Sequence, residues 1–149
     1  MMEDKAMEEK KGTRDFFIET LAKTGWQYEI DEEGDVYFNY QGENFVVGSD
    51  NTAINIHIYD FCWGHVELYD TDGVERLKKA VNESNITNNV TTFYIVNEAG
   101  SNVEVHSKST IIFIPEIPNT VDYLCAGLNE FFKAHRTVHA EMAKLKEAK

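Results

Sequence analysis

The chain has 149 residues and a formal net charge of -12, with a sequence pI of about 4.7. Such a charge repels nucleic-acid phosphates, so no DNA or RNA partner is expected, and it attracts basic protein segments. A hydrophobic fraction of 42% is enough for a packed core and excludes a disordered chain. No apolar run approaches the ~18 residues of a membrane span, and the opening MMEDKAMEEKK lacks the apolar core of a secretory leader. The expectation is a cytoplasmic protein with no membrane partner.

Residues 1–12 read as a charged extension, followed by one α+β domain over 13–149. A helix is expected over 13–24, with Thr13 as its cap, Phe16, Phe17 and Leu21 as its apolar stripe and Gly25 as its stop. The period then changes from helical to alternating. Trp26, Tyr28 and Ile30 form one alternating set, and Val36, Phe38 and Tyr40 another. The turn between them is Asp31-Glu32-Glu33-Gly34. Residues 45–48 form a third strand after Gln41-Gly42. Ile54, Ile56 and Ile58 define a fourth. A turn at Cys62-Trp63-Gly64 leads to a fifth, with Val66 and Leu68 inward.

Asp72 with Glu75 has the form of a capping box, opening a helix whose Val74, Leu77 and Val81 share a face. Strands are expected at 91–96, 103–106 and 110–114, with a hairpin turn at 98–102. A long helix runs from about Thr120, with Val121, Leu124, Leu128, Phe131, Phe132 and Leu145 on one side. The order is helix, five strands, helix, three strands, helix. Short turns between strands imply a largely antiparallel sheet, with helices mainly on one face.

Several words of the chain carry a resemblance. Gly25-Trp26-Gln27-Tyr28 follows the first helix, Asp35 to Tyr40 and Phe45 to Val47 follow as early strands, and Ala80, Asn82 and Asn85 punctuate the central helix. In these the chain resembles the YbjN-like family, which is similar in fold to type III secretion chaperones. The resemblance implies a domain that is not an enzyme: a homodimer that holds a partner chain in partly extended form, or a regulator. It supplies no catalytic residues.

Candidate chemistry is sparse. His135 and His139 lie four apart on a helix and could share a zinc ion, but no third ligand is fixed, and a solvated helix face is the expectation. Cys62 and His65 could pair as thiolate and imidazole, though no oxyanion hole or nucleophile motif accompanies them. Cys62 and Cys125 are expected to be reduced, small and buried. The acidic stretches at 31–35 and 70–73 lack the ligand pattern of a calcium loop and read as turn and cap chemistry. The N-x-S/T triplets at Asn82, Asn85 and Asn89 read as chance matches. No cofactor is expected, since there is no phosphate loop, dinucleotide fingerprint or Gly-x-Ser-x-Gly.

Strand parity is the most informative pattern. If the isoleucines point inward, then Tyr37, Asn39, His57, Tyr59, His65, Glu67 and Tyr69 point outward. That face carries tyrosine, histidine and acid. No lysine or arginine occurs between Lys23 and Arg76. Tyrosine offers a large contact area with a hydroxyl, as protein recognition uses it. The expected function is a protein-binding module for a basic or partly unfolded segment. The alternative is a small-molecule binder or enzyme using His57, His65 and Tyr69 in a concave sheet.

Overall fold

A computed structural model describes residues 12–148, so the charged extension expected at 1–12 lies, but for Gly12, outside the described residues. The fold is α+β. The elements in order are α1 (Thr13–Thr24), β1 (Tyr28–Ile30), β2 (Val36–Tyr40), β3 (Glu43–Gly48), β4 (Asn55–Glu67), α2 (Thr71–Thr87), β5 (Thr91–Val96), β6 (Asn102–Ile112) and α3 (Thr120–Glu147). The strands form one antiparallel sheet in the order β1-β2-β3-β4-β6-β5. The chain divides into two compact units. Unit 1 is Met1–Ile58 with Thr110–Cys125, and unit 2 is Tyr59–Ser109 with Ala126–Lys149.

Four strands precede α2 where five were expected, and two follow it where three were expected. Both differences have the same cause. The two strands expected around 54–58 and 65–69 merge into one 13-residue strand, Asn55–Glu67, because Cys62-Trp63-Gly64 stays extended overall with only Cys62 turned to φ 54. Likewise Ser107-Lys108-Ser109 does not break β6.

In unit 1, Phe17 on α1 packs edge-on against Phe113 and tilts onto Phe38 of β2. Trp26 stacks on Phe38, which stacks on Phe45 of β3. Val36, Phe38 and Tyr40 are buried while Tyr37 and Asn39 are exposed, as alternation requires. Register pairs Tyr37 with Glu29 on one side and Val46 on the other. Gly12, not Thr13, occupies the cap position of α1. Thr13 is the first helical residue, and its hydroxyl donates to the Ala53 carbonyl instead. Gly25 ends α1 in the left-handed conformation, φ 78. Ile54 is 55% exposed rather than inward, because it precedes β4.

In unit 2, Leu77, Ala80 and Val81 of α2, Val103 and Val105 of β6 and Val138 of α3 form one core, with Trp63, Val66, Val74 and Met142 packed against it. A polar chain crosses this core. Trp63 Nε1 donates to Ser107 Oγ at 3.0 Å, Ser107 shares a hydrogen bond with Thr92 Oγ1, and Asn85 accepts the Thr92 amide and donates to the Thr92 carbonyl. Asn88 donates to Thr137 Oγ1. Two asparagines of the Asn-rich stretch therefore tie the end of α2 to its neighbours. The cap of α2 is Asp70, whose carboxylate accepts the Gly73 amide at 3.0 Å, rather than Asp72. The turn between β5 and β6 forms as expected, with Gly100 at φ 68 and the Asn97 side chain accepting the Ser101 and Asn102 amides.

Candidate functional site

Among the described residues, unit 1 carries most of the net negative charge. Among its described residues, eleven carboxylates face two cations, Arg14 and Lys23, a balance of -9; unit 2 holds eleven against eight, a balance of -3. Seven of the eleven lie between residues 29 and 50. β1 is an edge strand of the sheet, and its Glu29 and Ile30 are exposed. Beside it, Glu29, Tyr37, Asn39, Asn44 and Val46 line a shallow depression.

The turn after β1 is built by Asp31. Its Oδ1 accepts the amides of Glu33 and Asp35 at 3.0 and 2.9 Å, and its Oδ2 accepts the Tyr37 hydroxyl at 3.1 Å. Desolvation pushes the Asp31 carboxyl upward. The hydrogen bonds from Asp35, Tyr37, Glu33 and Gly34 together outweigh it and leave the group below the usual carboxylate value. The same hydrogen bond and the Asp31 charge push the Tyr37 phenol upward. Position 34 favours glycine because its φ is 90; a Cβ there would also come within 2.7 Å of the Arg14 guanidinium, the end of a flexible side chain that can shift.

The other outward residues predicted for unit 1 are also locally engaged. Asn39 donates to the Asn44 side chain and accepts the Gly42 amide, which closes the β2–β3 turn. His57 Nδ1 lies 2.8 Å from Thr110 Oγ1.

In unit 2, Tyr59 is half-buried and stacks on Phe61 at 5.2 Å, while His65 and Glu67 are exposed on β4. Tyr69 is 76% exposed but lies beyond the end of β4, and so does Leu68, which is exposed rather than inward. Asp60, Trp63 and Val66 all turn inward, so the inward spacing becomes three instead of two along this half of β4. The left-handed Cys62 is the visible cause of the first break, as in a β-bulge.

That break exposes Cys62, which was expected to be buried, while Cys125 is half-buried. The polar partners of Cys62 come from β6 rather than from His65. Its amide donates to His106 Nδ1 at 2.9 Å, and its thiol donates to Glu104 Oε2 at 3.6 Å. Desolvation first, and then the Glu104 charge and hydrogen bond, push the thiol pKa upward, so it stays protonated. His106 is 6% exposed, stacked by Phe93 at 5.2 Å and met edge-on by Phe61 at 5.8 Å. Sequence reasoning missed this cluster because its members lie 42 and 44 residues apart. The strand at Thr91–Val96 was expected and forms as β5, but its place as an edge without charge that exposes Tyr94, Ile95 and Val96 was not read. That run was legible in the sequence.

The expected solvated face holds for His139, which is exposed, and fails for His135, whose side chain is 13% exposed. Both rings lie on Trp63, stacked at 4.1 Å and edge-on at 5.6 Å, and His135 Nε2 lies 2.8 Å from the buried Asp60 carboxylate. No helix among the described residues is long and apolar enough to cross a membrane.

Comparison with known proteins bears on the fold. No family model and no curated protein matches the chain. It is similar in structure to an uncharacterized protein from Methanothermobacter thermautotrophicus, at 14% identity and a TM-score of 0.56, covering 89% of this chain and 97% of that one. At that identity the likeness extends to the fold alone.

Proposed function

We propose that this chain is a protein-binding module, chaperone-like or regulatory and not an enzyme, which holds a basic, extended segment of a partner along the β1 edge of unit 1. The observation that carries this reading is the segregation of charge, eleven carboxylates against two cations among the described residues of that unit. A free strand edge supplies backbone hydrogen bonds to an added strand. Glu29 and the exposed acids of the 31–35 turn attract lysine and arginine, while Tyr37 and Val46 offer contact area. The resemblance to secretion chaperones points the same way, and a cytoplasmic location belongs to the same proposal.

The test is fluorescence polarisation with a labelled peptide of alternating lysine and valine. Binding is expected to weaken by about tenfold or more as salt rises from about 0.05 to 0.5 M. Glu29→Gln, Glu32→Gln and Glu33→Gln combined is expected to weaken it comparably, leaving the Asp31 turn intact. Binding that ignores both changes, or no binding at low salt, sinks the reading.

A homodimer belongs to the same proposal. Two copies that each carry -12 repel one another, and β5 is an edge without charge. An isologous antiparallel β5 pair would cover Ile95, which is 53% exposed. Light scattering is expected to give twice the chain mass for the wild type and the chain mass for Ile95→Lys. A monomeric wild type removes the dimer and leaves the peptide reading standing.

A further inference from the structure

We propose that Cys62, Glu104 and His106 form a binding site for a zinc-class divalent cation on unit 2. One ligand atom from each lies within 4.8 Å of the other two. Sulfur, imidazole nitrogen and carboxylate oxygen are the donors that Zn²⁺ takes, whereas Mg²⁺ and Ca²⁺ take oxygen only. The sulfur-to-oxygen spacing is that of a coordination shell. Zinc bonds of about 2.3 Å to sulfur and about 2.0 Å to oxygen place those atoms ~3.5 Å apart in a tetrahedron. Cys62 Sγ and Glu104 Oε2 are 3.6 Å apart.

Two independent features hold this geometry. Cys62 adopts φ 54, a conformation that disfavours any residue with a Cβ, in the middle of a long strand. This places its thiol beside Glu104 rather than toward the core. His106 is fixed between Phe93 and Phe61, so its ring is oriented before any ligand arrives.

Binding is a substitution without redox change. The cation replaces the thiol proton, which leaves to solvent, and the resulting thiolate, carboxylate and imidazole share the metal. His106 Nδ1, the ring nitrogen turned toward Cys62, exchanges the amide hydrogen bond for a metal bond. Three protein ligands leave a fourth position for water or for a donor from a partner.

The experiment is titration of the full, reduced chain with Zn²⁺ alone by calorimetry in two buffers of different ionisation enthalpy, then with Co²⁺ followed by absorption. One cation per chain is expected, with proton release and a sulfur-to-cobalt charge-transfer band. Cys62→Ser and Glu104→Gln are each expected to lower affinity by at least about tenfold, with circular dichroism unchanged. Cys125→Ser and His139→Gln are expected to leave it as it was. In ¹⁵N NMR, zinc is expected to move the Cys62 amide and the His106 ring together. No binding, or binding that survives Cys62→Ser with no cobalt–sulfur band, overturns the site whatever the peptide assay shows.

Discussion

Phe113→Ala is expected to lower stability by about 3–5 kcal/mol, the range for removing a fully buried phenylalanine. Phe113 has no exposed surface. Its ring meets Phe16 at 5.3 Å, Phe17 at 5.5 Å and Tyr123 at 6.2 Å. The residue sits directly after β6, and its amide donates to the Ile54 carbonyl at 2.8 Å. Truncation therefore opens a cavity lined by α1 and the start of α3, with little main-chain freedom to collapse it. Urea unfolding is the measurement, and a slope of about 1–3 kcal/mol/M implies a midpoint lower by more than about 1 M. Ile54→Ala, at a residue 55% exposed, is the matched control, with a loss below about 1 kcal/mol. Equal losses at the two positions would mean that the ring cluster is not the organising core of unit 1.

The hairpins of unit 1 were legible because each strand is short and bounded by turn residues, so a period of two persists from end to end. Val36, Phe38 and Tyr40 bury and Tyr37 and Asn39 do not, as the alternation in the sequence requires. The long strands were legible only in part. Nothing local distinguishes Cys62-Trp63-Gly64 as a turn from the same residues inside a bulged strand, since glycine and a polar neighbour suit both. What decides is pairing with β6, which lies some forty residues further on.

The same distance hid the chemistry. Cys62 has a histidine three residues away in sequence, yet the one that contacts it is His106. Asp60 reads as one more acid in an acidic chain. It is 1% exposed because its partner, His135, lies 75 residues on, in α3. Charge segregation needed no structure to see, because it depends on where lysine and arginine are missing rather than on who meets whom.

That pair carries the other large effect. His135→Ala is expected to cost about 3 kcal/mol, as leaving a buried carboxylate without its hydrogen-bond donor does. The His135 ring donates through Nε2 to Asp60 Oδ2 at 2.8 Å, and among the described residues Asp60 Oδ1 has no hydrogen-bond partner. Without the imidazole, the carboxylate stays in the core with its main donor gone. The ring also stacks on Trp63 at 4.1 Å, so the lost hydrogen bond and the lost stacking must be separated. His135→Phe keeps an aromatic ring there and removes the donor, and it is expected to destabilise nearly as much as alanine. His135→Gln restores a donor without the ring, and it is expected to recover part of the loss. A cycle with Asp60→Leu decides between the two causes. If the stranded carboxylate is what costs, His135→Ala is tolerated far better once Asp60 is gone, with a coupling of at least about 1 kcal/mol. Additive losses would instead assign the effect to the stack on Trp63. The pair would then fix the rotation of α3 by ring packing rather than by charge.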